Sequence, residues 1–128
     1  MDERERFEKG LEVRRNVLGD KHVNKSLEKR DPFTEEFQDL VTRHAWGEIW
    51  TRPGLPRHTR SLITLAMLIA LNRGEEIRLH LRGASNNGVT RDELKELFLQ
   101  AAVYCGVPAA NSAFRAAEEV FAEQDRRA

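Results

Sequence analysis

The ten-residue apolar run from Leu62 to Leu71 restricts the possible folds of this chain more than any other stretch. A run of this kind, whose only polar residue is Thr64, predicts a helix that is buried on most of its sides. It is well short of the roughly 20 apolar residues needed to cross a bilayer. We therefore expect a central core helix, with the polar residues that follow it, up to Leu81, at the edge of the core.

Apolar residues recur at helical spacing along most of the chain, and no stretch alternates as a strand would. The predicted helices cover residues 3–18, 33–50, 57–71, 75–85, 91–105 and 109–124, with a polar connecting arm at 20–29. The first is predicted to end at Gly19, and the fifth is preceded by a capping box, Thr90 to Glu93. The second should bury an apolar stripe that includes Phe33, Phe37 and Leu40. The many alanines of the last helix imply close helix–helix packing. We predict an all-α fold of about six helices, in a single domain spanning residues 1–128.

Charge and cysteine content narrow the possible partners and compartments. The 21 basic and 21 acidic residues give zero net charge, so we expect neither nucleic acid nor membrane as a partner. The single cysteine, Cys105, excludes an internal disulfide, suits a reducing compartment and, in its apolar helix, is predicted to be packed. The charged N-terminus has no apolar signal-peptide core. We expect a cytoplasmic protein.

Two Glu/His pairs have a spacing that suits acid–base chemistry. Glu76 and His80 are four residues apart and share a helix face, where a carboxylate would raise the proton affinity of the imidazole. An ordinary surface ion pair, contributing about 0.3–0.5 kcal/mol, is the more frequent role of this spacing. His44 and Glu48 repeat it close to Trp46, which, like its neighbouring tryptophan, could be a core residue.

The start of the predicted central helix carries Arg57, His58 and Arg60. Cations at a helix N-terminus oppose the macrodipole, and an anionic ligand would offset that cost. The guanidinium fork binds carboxylates in a bidentate way. The segment therefore suits a carboxylate site, with two solvated arginines as the alternative.

Other kinds of site find no support in the sequence. No Cys/His spacing favours zinc, no glycine-rich phosphate loop follows a strand, and no serine-centred elbow is present. We expect neither a metal nor a cofactor.

Three segments resemble the gamma-carboxymuconolactone decarboxylase family: GLEVRRNVLGDKHVNKSL, RHAWGEIWTRPGLPRHTRSLITLAMLIALNRGEEIRLHLRGASNNGVTRDELKE and AAVYCGVPAANSAF. The wider superfamily shares an alkylhydroperoxidase-like helical fold with thiol peroxidases, which use a glutamate, a C-x-x-C pair and a histidine. Here His80 matches that histidine, Arg73 and Glu76 replace the cysteines, and Ser61 replaces the glutamate. Without two thiols there is no disulfide to cycle, so peroxidase activity is not expected.

The resemblance implies cofactor-free decarboxylation of 4-carboxymuconolactone, a dianion, to 3-oxoadipate enol-lactone and carbon dioxide. This reaction belongs to protocatechuate breakdown by the beta-ketoadipate pathway. In that reading His80 delivers the proton, Glu76 orients His80, and the two arginines Arg57 and Arg60 hold the acetate arm. The full set of candidate substrate-binding residues is Arg57, Arg60, Trp46, Glu48, His44, His58 and Arg73.

The resemblance also implies a homo-oligomer, a hexamer in this family, in which the arm at 20–30 could reach a neighbour. Two alternatives remain. The chain could be a decarboxylase or isomerase for another small acidic lactone or keto acid. It could also be a non-catalytic helical oligomer that has lost the peroxidase cysteines.

Overall fold

The computed structural model describes residues 1–127, and its contacts cluster into two compact units, Met1–Arg57 and a second that begins at His58. The prediction of a single domain over the whole chain stays a prediction. Within the described residues there are seven α-helices, one π-helix and no strand, which confirms the all-α fold. The elements are α1 Glu3–Leu18, α2 Asp20–Glu28, α3 Glu35–Leu40, the π-helix Val41–Ile49, α4 Arg57–Ala70, α5 Gly74–Asn86, α6 Arg91–Tyr104 and α7 Val107–Arg127.

In the first unit, α1 packs directly on the π-helix, backbone against backbone. A Cβ added at Gly10 would overlap the carbonyl oxygen of Thr42 and lie 2.9 Å from the amide nitrogen of Gly47. A Cβ at Gly47 would likewise overlap the carbonyl oxygen of Arg6. Glycine is required at both positions because no side chain fits between the two helices.

The arm predicted at 20–29 is in fact a helix, α2. Gly19, with a φ of 90°, ends α1 as predicted, and α2 begins at the next residue. The sequence hid this helix because Val23 is its only fully buried residue, so its apolar stripe is short.

The segment predicted as one regular helix over 33–50 is divided between α3 and the π-helix. The N–H of Trp50 donates to the carbonyl of Ala45, five residues earlier, at 2.9 Å. Three side chains expected on the buried stripe, those of Phe33, Phe37 and Leu40, are exposed, and Phe33 is 95% exposed. A periodicity of 3.6 residues cannot anticipate the wider π turn, which changes the residues that share a face.

The second unit has a core formed by α4, α5, α6 and α7. Phe98 of α6 meets Phe114 of α7 edge to face, with ring centroids 5.0 Å apart. Alanines on α7 permit close packing, as predicted: Ala110, Ala113, Ala116 and Ala117 are all buried.

The apolar run of α4 is buried on one side only, which corrects the expectation of a helix covered on most sides. Leu65 and Ile69 lie in the core, whereas Ile63, Met67 and Leu71 are exposed, Met67 by 60%. Hydrophobicity alone does not distinguish a face that packs within the chain from one left uncovered by it.

Three arginines tie the second unit together through ion pairs to α7. Their partners are Glu119 for Arg78 at 2.7 Å, Glu123 for Arg82 at 3.0 Å and Asp125 for Arg91 at 2.8 Å. None of the helices in residues 1–127 is long and apolar enough to cross a membrane.

Candidate active site

His80 lies at the boundary of the second unit's core, as its sequence position predicted. On α5, Ile77 and Leu81 are buried in the core, His80 is half-buried, and Glu76 is exposed one turn earlier. The helix therefore holds the imidazole where solvent and apolar surroundings meet. The orienting role of Glu76 stays a prediction.

Ser61 and Asn87 form a buried polar contact that sequence reasoning did not anticipate. Asn87, just after α5, donates from Nδ2 to the hydroxyl of Ser61 on α4 at 2.8 Å. Ser61 is 1% exposed and occupies the position where the resemblance places a peroxidase glutamate. A buried hydroxyl in a hydrogen bond cannot replace a carboxylate as a proton acceptor.

The structure places Arg57, His58 and Arg60 in the first turn of α4, as predicted, and all three are half-buried. His58 is engaged there, because its Nε2 lies 2.8 Å from Oε2 of Glu93 on α6. Arg73 is exposed at the N-cap of α5. Anion binding by these arginines stays a prediction.

Glu93 performs two structural tasks. Its Oε1 accepts the N–H of Thr90 at 2.9 Å, while its backbone N–H donates to the Thr90 hydroxyl, which confirms the predicted capping box. The hydrogen bond from His58, followed by the bond to the Thr90 backbone, lowers the pKa of Glu93. This network makes His58 a tie between α4 and α6.

In the first unit, the π-helix brings His44 and Glu48 together. His44 Nδ1 lies 3.1 Å from Glu48 Oε2, and both side chains are exposed. This bond, and then the charge of Arg6, lower the pKa of Glu48. π-Helices occur frequently at functional sites. The four-residue spacing thus correctly predicted that His44 and Glu48 contact each other.

Trp46 is buried in the first unit and stacks on Trp50 with ring centroids 5.0 Å apart and an interplanar angle of 28°. The interpretation of both indoles as core residues is confirmed. The substrate-binding role of Trp46 stays a prediction.

Arg14 is a buried charged residue that sequence reasoning missed. It is only 7% exposed and lies on α1. A signal was present, because Arg14 follows Phe7 and Leu11 at the spacing of the apolar stripe that ends at Leu18.

An open groove of about 640 Å³ runs along the second unit, and none of the residues proposed for the substrate lines it. Its walls include Leu62, Leu97 and three carboxylates, those of Asp92, Glu93 and Glu96. A dianion would be repelled by this lining. Cys105 also borders the groove and is exposed, so the expectation of a packed thiol is wrong: the end of α6 extends beyond the core.

No three His, Cys, Asp or Glu side chains within residues 1–127 are arranged to hold a metal ion.

Comparison with known proteins identifies related sequences. The model of the "Carboxymuconolactone decarboxylase family" matches residues 35–119. The chain is 59% identical over 121 residues to a 4-carboxymuconolactone decarboxylase from Acinetobacter baylyi, covering 94% of this chain and 90% of that protein. It is 50% identical over 102 residues to the nitrosuccinic acid decarboxylase npaB from Metarhizium robertsii, covering 80% and 71%.

A third relative carries no activity in its name. An uncharacterised 15.0 kDa protein from Paracoccus denitrificans is 32% identical over 82 residues, covering 62% of this chain and 61% of that protein.

Proposed function

We propose that this chain removes carbon dioxide from 4-carboxymuconolactone to form 3-oxoadipate enol-lactone, because it belongs to the carboxymuconolactone decarboxylase family. The observation that carries the proposal is the 59% identity to the Acinetobacter enzyme, which extends over nearly the full length of both chains. The enzyme is a carboxy-lyase of protocatechuate breakdown by the beta-ketoadipate pathway.

The chemistry of the substrate explains how a helical protein could catalyse this step with side chains alone. The bond between the ring carbon and its carboxylate breaks, and the electron pair enters the ring. The ring double bond conjugates that carbon with the lactone carbonyl, so a dienolate forms. A proton delivered to the carbon beside the carbonyl then gives the enol-lactone. The protein must bind the dianion, stabilise the oxyanion and supply the proton.

The Metarhizium relative supports this division of tasks. Its name specifies nitrosuccinic acid, which also carries two carboxylates and an adjacent group, here nitro, that accepts the electrons of the broken bond. Both named substrates thus require two bound carboxylates and one proton. The group that accepts the electrons differs between the two compounds, and in each case it is part of the substrate and not of the protein.

We assign proton delivery to His80. Its support is a half-buried position on α5 beside the core residues Ile77 and Leu81, where the imidazole can exchange protons with solvent. Glu76 acts on His80 as its orienting carboxylate. Arg57 and Arg60 bind the acetate arm, supported by their place in the first turn of α4.

A second candidate for the proton donor is His44, which is favoured by its hydrogen bond to Glu48 at 3.1 Å. In that case Glu48 orients the imidazole, and His44 serves as the acid. Separate alanine variants of the two histidines distinguish these roles.

The proposed function is tested by incubating the protein with 4-carboxymuconolactone and following carbon dioxide release and enol-lactone formation. We expect both products in equal amounts. No release between about pH 5 and about pH 9, the range in which a histidine titrates, would refute the proposal. Activity only on another acidic lactone or keto acid would favour the alternative substrate class. Inactivity on all of them would favour a non-catalytic oligomer.

We further propose that the protein is a homo-oligomer, a hexamer by family resemblance. The exposed apolar side chains of α4, including Met67 and Leu71, support this, because such surfaces gain stability when a neighbour covers them. Light scattering coupled to size exclusion tests the assembly. A monomer at micromolar concentration would contradict it.

We also propose a cytoplasmic location. The exposed thiol of Cys105, with no second cysteine in the sequence, suits a reducing compartment. Fractionation of cells that express the protein tests this.

A further inference from the structure

Arg14 is the buried arginine of α1, and its environment differs from that of the other arginines on this helix. The four arginines of α1 are Arg4, Arg6, Arg14 and Arg15. Three of them form ion pairs: Arg4 with Glu8, Arg6 with Glu3, and Arg15 with Asp20. Arg14 has the lowest exposure of the four and pairs with no carboxylate in residues 1–127.

The Nε of Arg14 is shielded from solvent and has no hydrogen-bond acceptor within the described chain. Burial lowers the pKa of this guanidinium, and no neighbouring carboxylate opposes that effect. A buried cation without a counter-ion is a large cost to a folded protein. An anion bound at that position would offset this cost.

The position of Arg14 connects it with the π-helix. Gly10, one turn before Arg14 on the same face of α1, meets the π-helix backbone at Thr42 and Gly47. The π-helix also carries the hydrogen-bonded pair of His44 and Glu48. The face of α1 that bears Arg14 therefore packs on the element that carries this hydrogen-bonded pair.

We infer that Arg14 binds one carboxylate of the dianionic substrate, an inference that rests on the proposed function. The planar fork of arginine matches a carboxylate with two parallel hydrogen bonds. With 7% of its surface exposed, Arg14 is largely covered against the surface of another protein, so a small anion is the partner that its position favours. The substrate supplies the negative charge that the fold does not, and binding is the step that pairs the guanidinium.

The test uses Arg14→Met, Arg14→Lys and, as a matched control, Arg4→Met, which changes an arginine of the same helix whose side chain is 88% exposed. Succinate, an unreactive dicarboxylate, is the binding probe. Melting temperatures are recorded with and without succinate, and kcat/KM is measured with 4-carboxymuconolactone.

For Arg14→Met we expect three results together. The melting temperature without ligand rises by a few degrees, because an unpaired buried charge is replaced by an apolar chain. The increase in melting temperature caused by succinate disappears. The value of kcat/KM falls about 10- to 100-fold, as expected for the loss of charged hydrogen bonds. Arg14→Lys keeps part of the succinate effect, and Arg4→Met behaves as wild type.

Several outcomes would overturn the inference. Equal succinate stabilisation of wild type and Arg14→Met, or stabilisation of neither, would do so. Unfolding or dissociation of both Arg14 variants, with succinate leaving the wild type unchanged, would assign the counter-ion to a second copy of the chain. If wild type releases no carbon dioxide but its succinate effect depends on Arg14, the proposed substrate is wrong and the carboxylate site stands.

Discussion

Asn87 donates a hydrogen bond to Ser61 across the second unit, so the turn after α5 is fastened to α4 at 2.8 Å. The acceptor is buried, and the donor is half-buried. Losing one partner of such a hydrogen bond destabilises the fold, because the buried hydroxyl that remains cannot bond to water instead.

Replacing Asn87 by alanine should therefore destabilise the protein. We expect a loss of about 1–3 kcal/mol, measured by urea unfolding, because the Ser61 hydroxyl is left unsatisfied. Ser61→Ala and the double variant complete the thermodynamic cycle. A coupling energy indistinguishable from zero would show that the two groups act independently.

Replacing His80 by alanine should lower kcat by about 100- to 10,000-fold, the usual contribution of a positioned general acid. His22→Gln is the matched control, because His22 on α2 belongs to none of the candidate site residues; this variant should leave activity within a few-fold of wild type. If His80→Ala kept activity within a few-fold of wild type, His44 would be favoured as the proton donor.

Gly10→Ala should destabilise the first unit although alanine is the better helix former. The new methyl group would overlap the Thr42 carbonyl, where backbone rather than a flexible side chain must move. We expect a loss of about 1–3 kcal/mol, or more, in the free energy of unfolding. Gly54→Ala is the control, since a Cβ added at Gly54 would have no atom within 4 Å. Equal effects of the two substitutions would contradict the close packing of α1 on the π-helix.

Stability should fall in acid because of the ion pairs on α7. Hydrogen bonds from Arg78 and Arg82 lower the pKa values of Glu119 and Glu123 below the ordinary value of 4.5. Carboxyl groups whose pKa is lower in the folded than in the unfolded chain stabilise the fold fully above the unfolded pKa. That stabilisation is lost as the pH falls below about 4.5 and through the folded pKa.

The measurement is the melting temperature as a function of pH. Glu119→Gln combined with Glu123→Gln should flatten the acid limb of the curve. Glu118→Gln, a change at a neighbouring exposed glutamate, should leave it unaltered. An unchanged acid limb in the double variant would assign the effect to other carboxylates.

Local patterns allowed much of the fold to be predicted. The end of α1 at Gly19 and the capping box at Thr90 depend on residues that are adjacent or three apart, so a sequence displays them. The π-helix escaped prediction because widening a turn leaves the composition of a segment unchanged. The exposed face of α4 was not predicted, because it is as apolar as the face that packs in the core.

The candidate site divides in the same way. The pair of His44 and Glu48 could be predicted from a separation of four residues. His58 and Glu93 are 35 residues apart, and Ser61 and Asn87 are 26 apart, so tertiary folding alone brings them together. The burial of Arg14 was not predicted, because an arginine without a partner is rarely buried.

The π-helix also determines how this protein would respond to changes in chain length. Each residue of a helix advances the direction of its side chain by a fixed angle, about 100° in the α form. One residue lost from Val41–Ile49 would therefore turn the side chains beyond the deletion relative to those before it. The indole stack and the His44–Glu48 bond would be misaligned even though every remaining residue was still present. Within this segment, the number of residues matters as much as their identity. A conservative substitution would therefore perturb the structure less than the deletion of one residue.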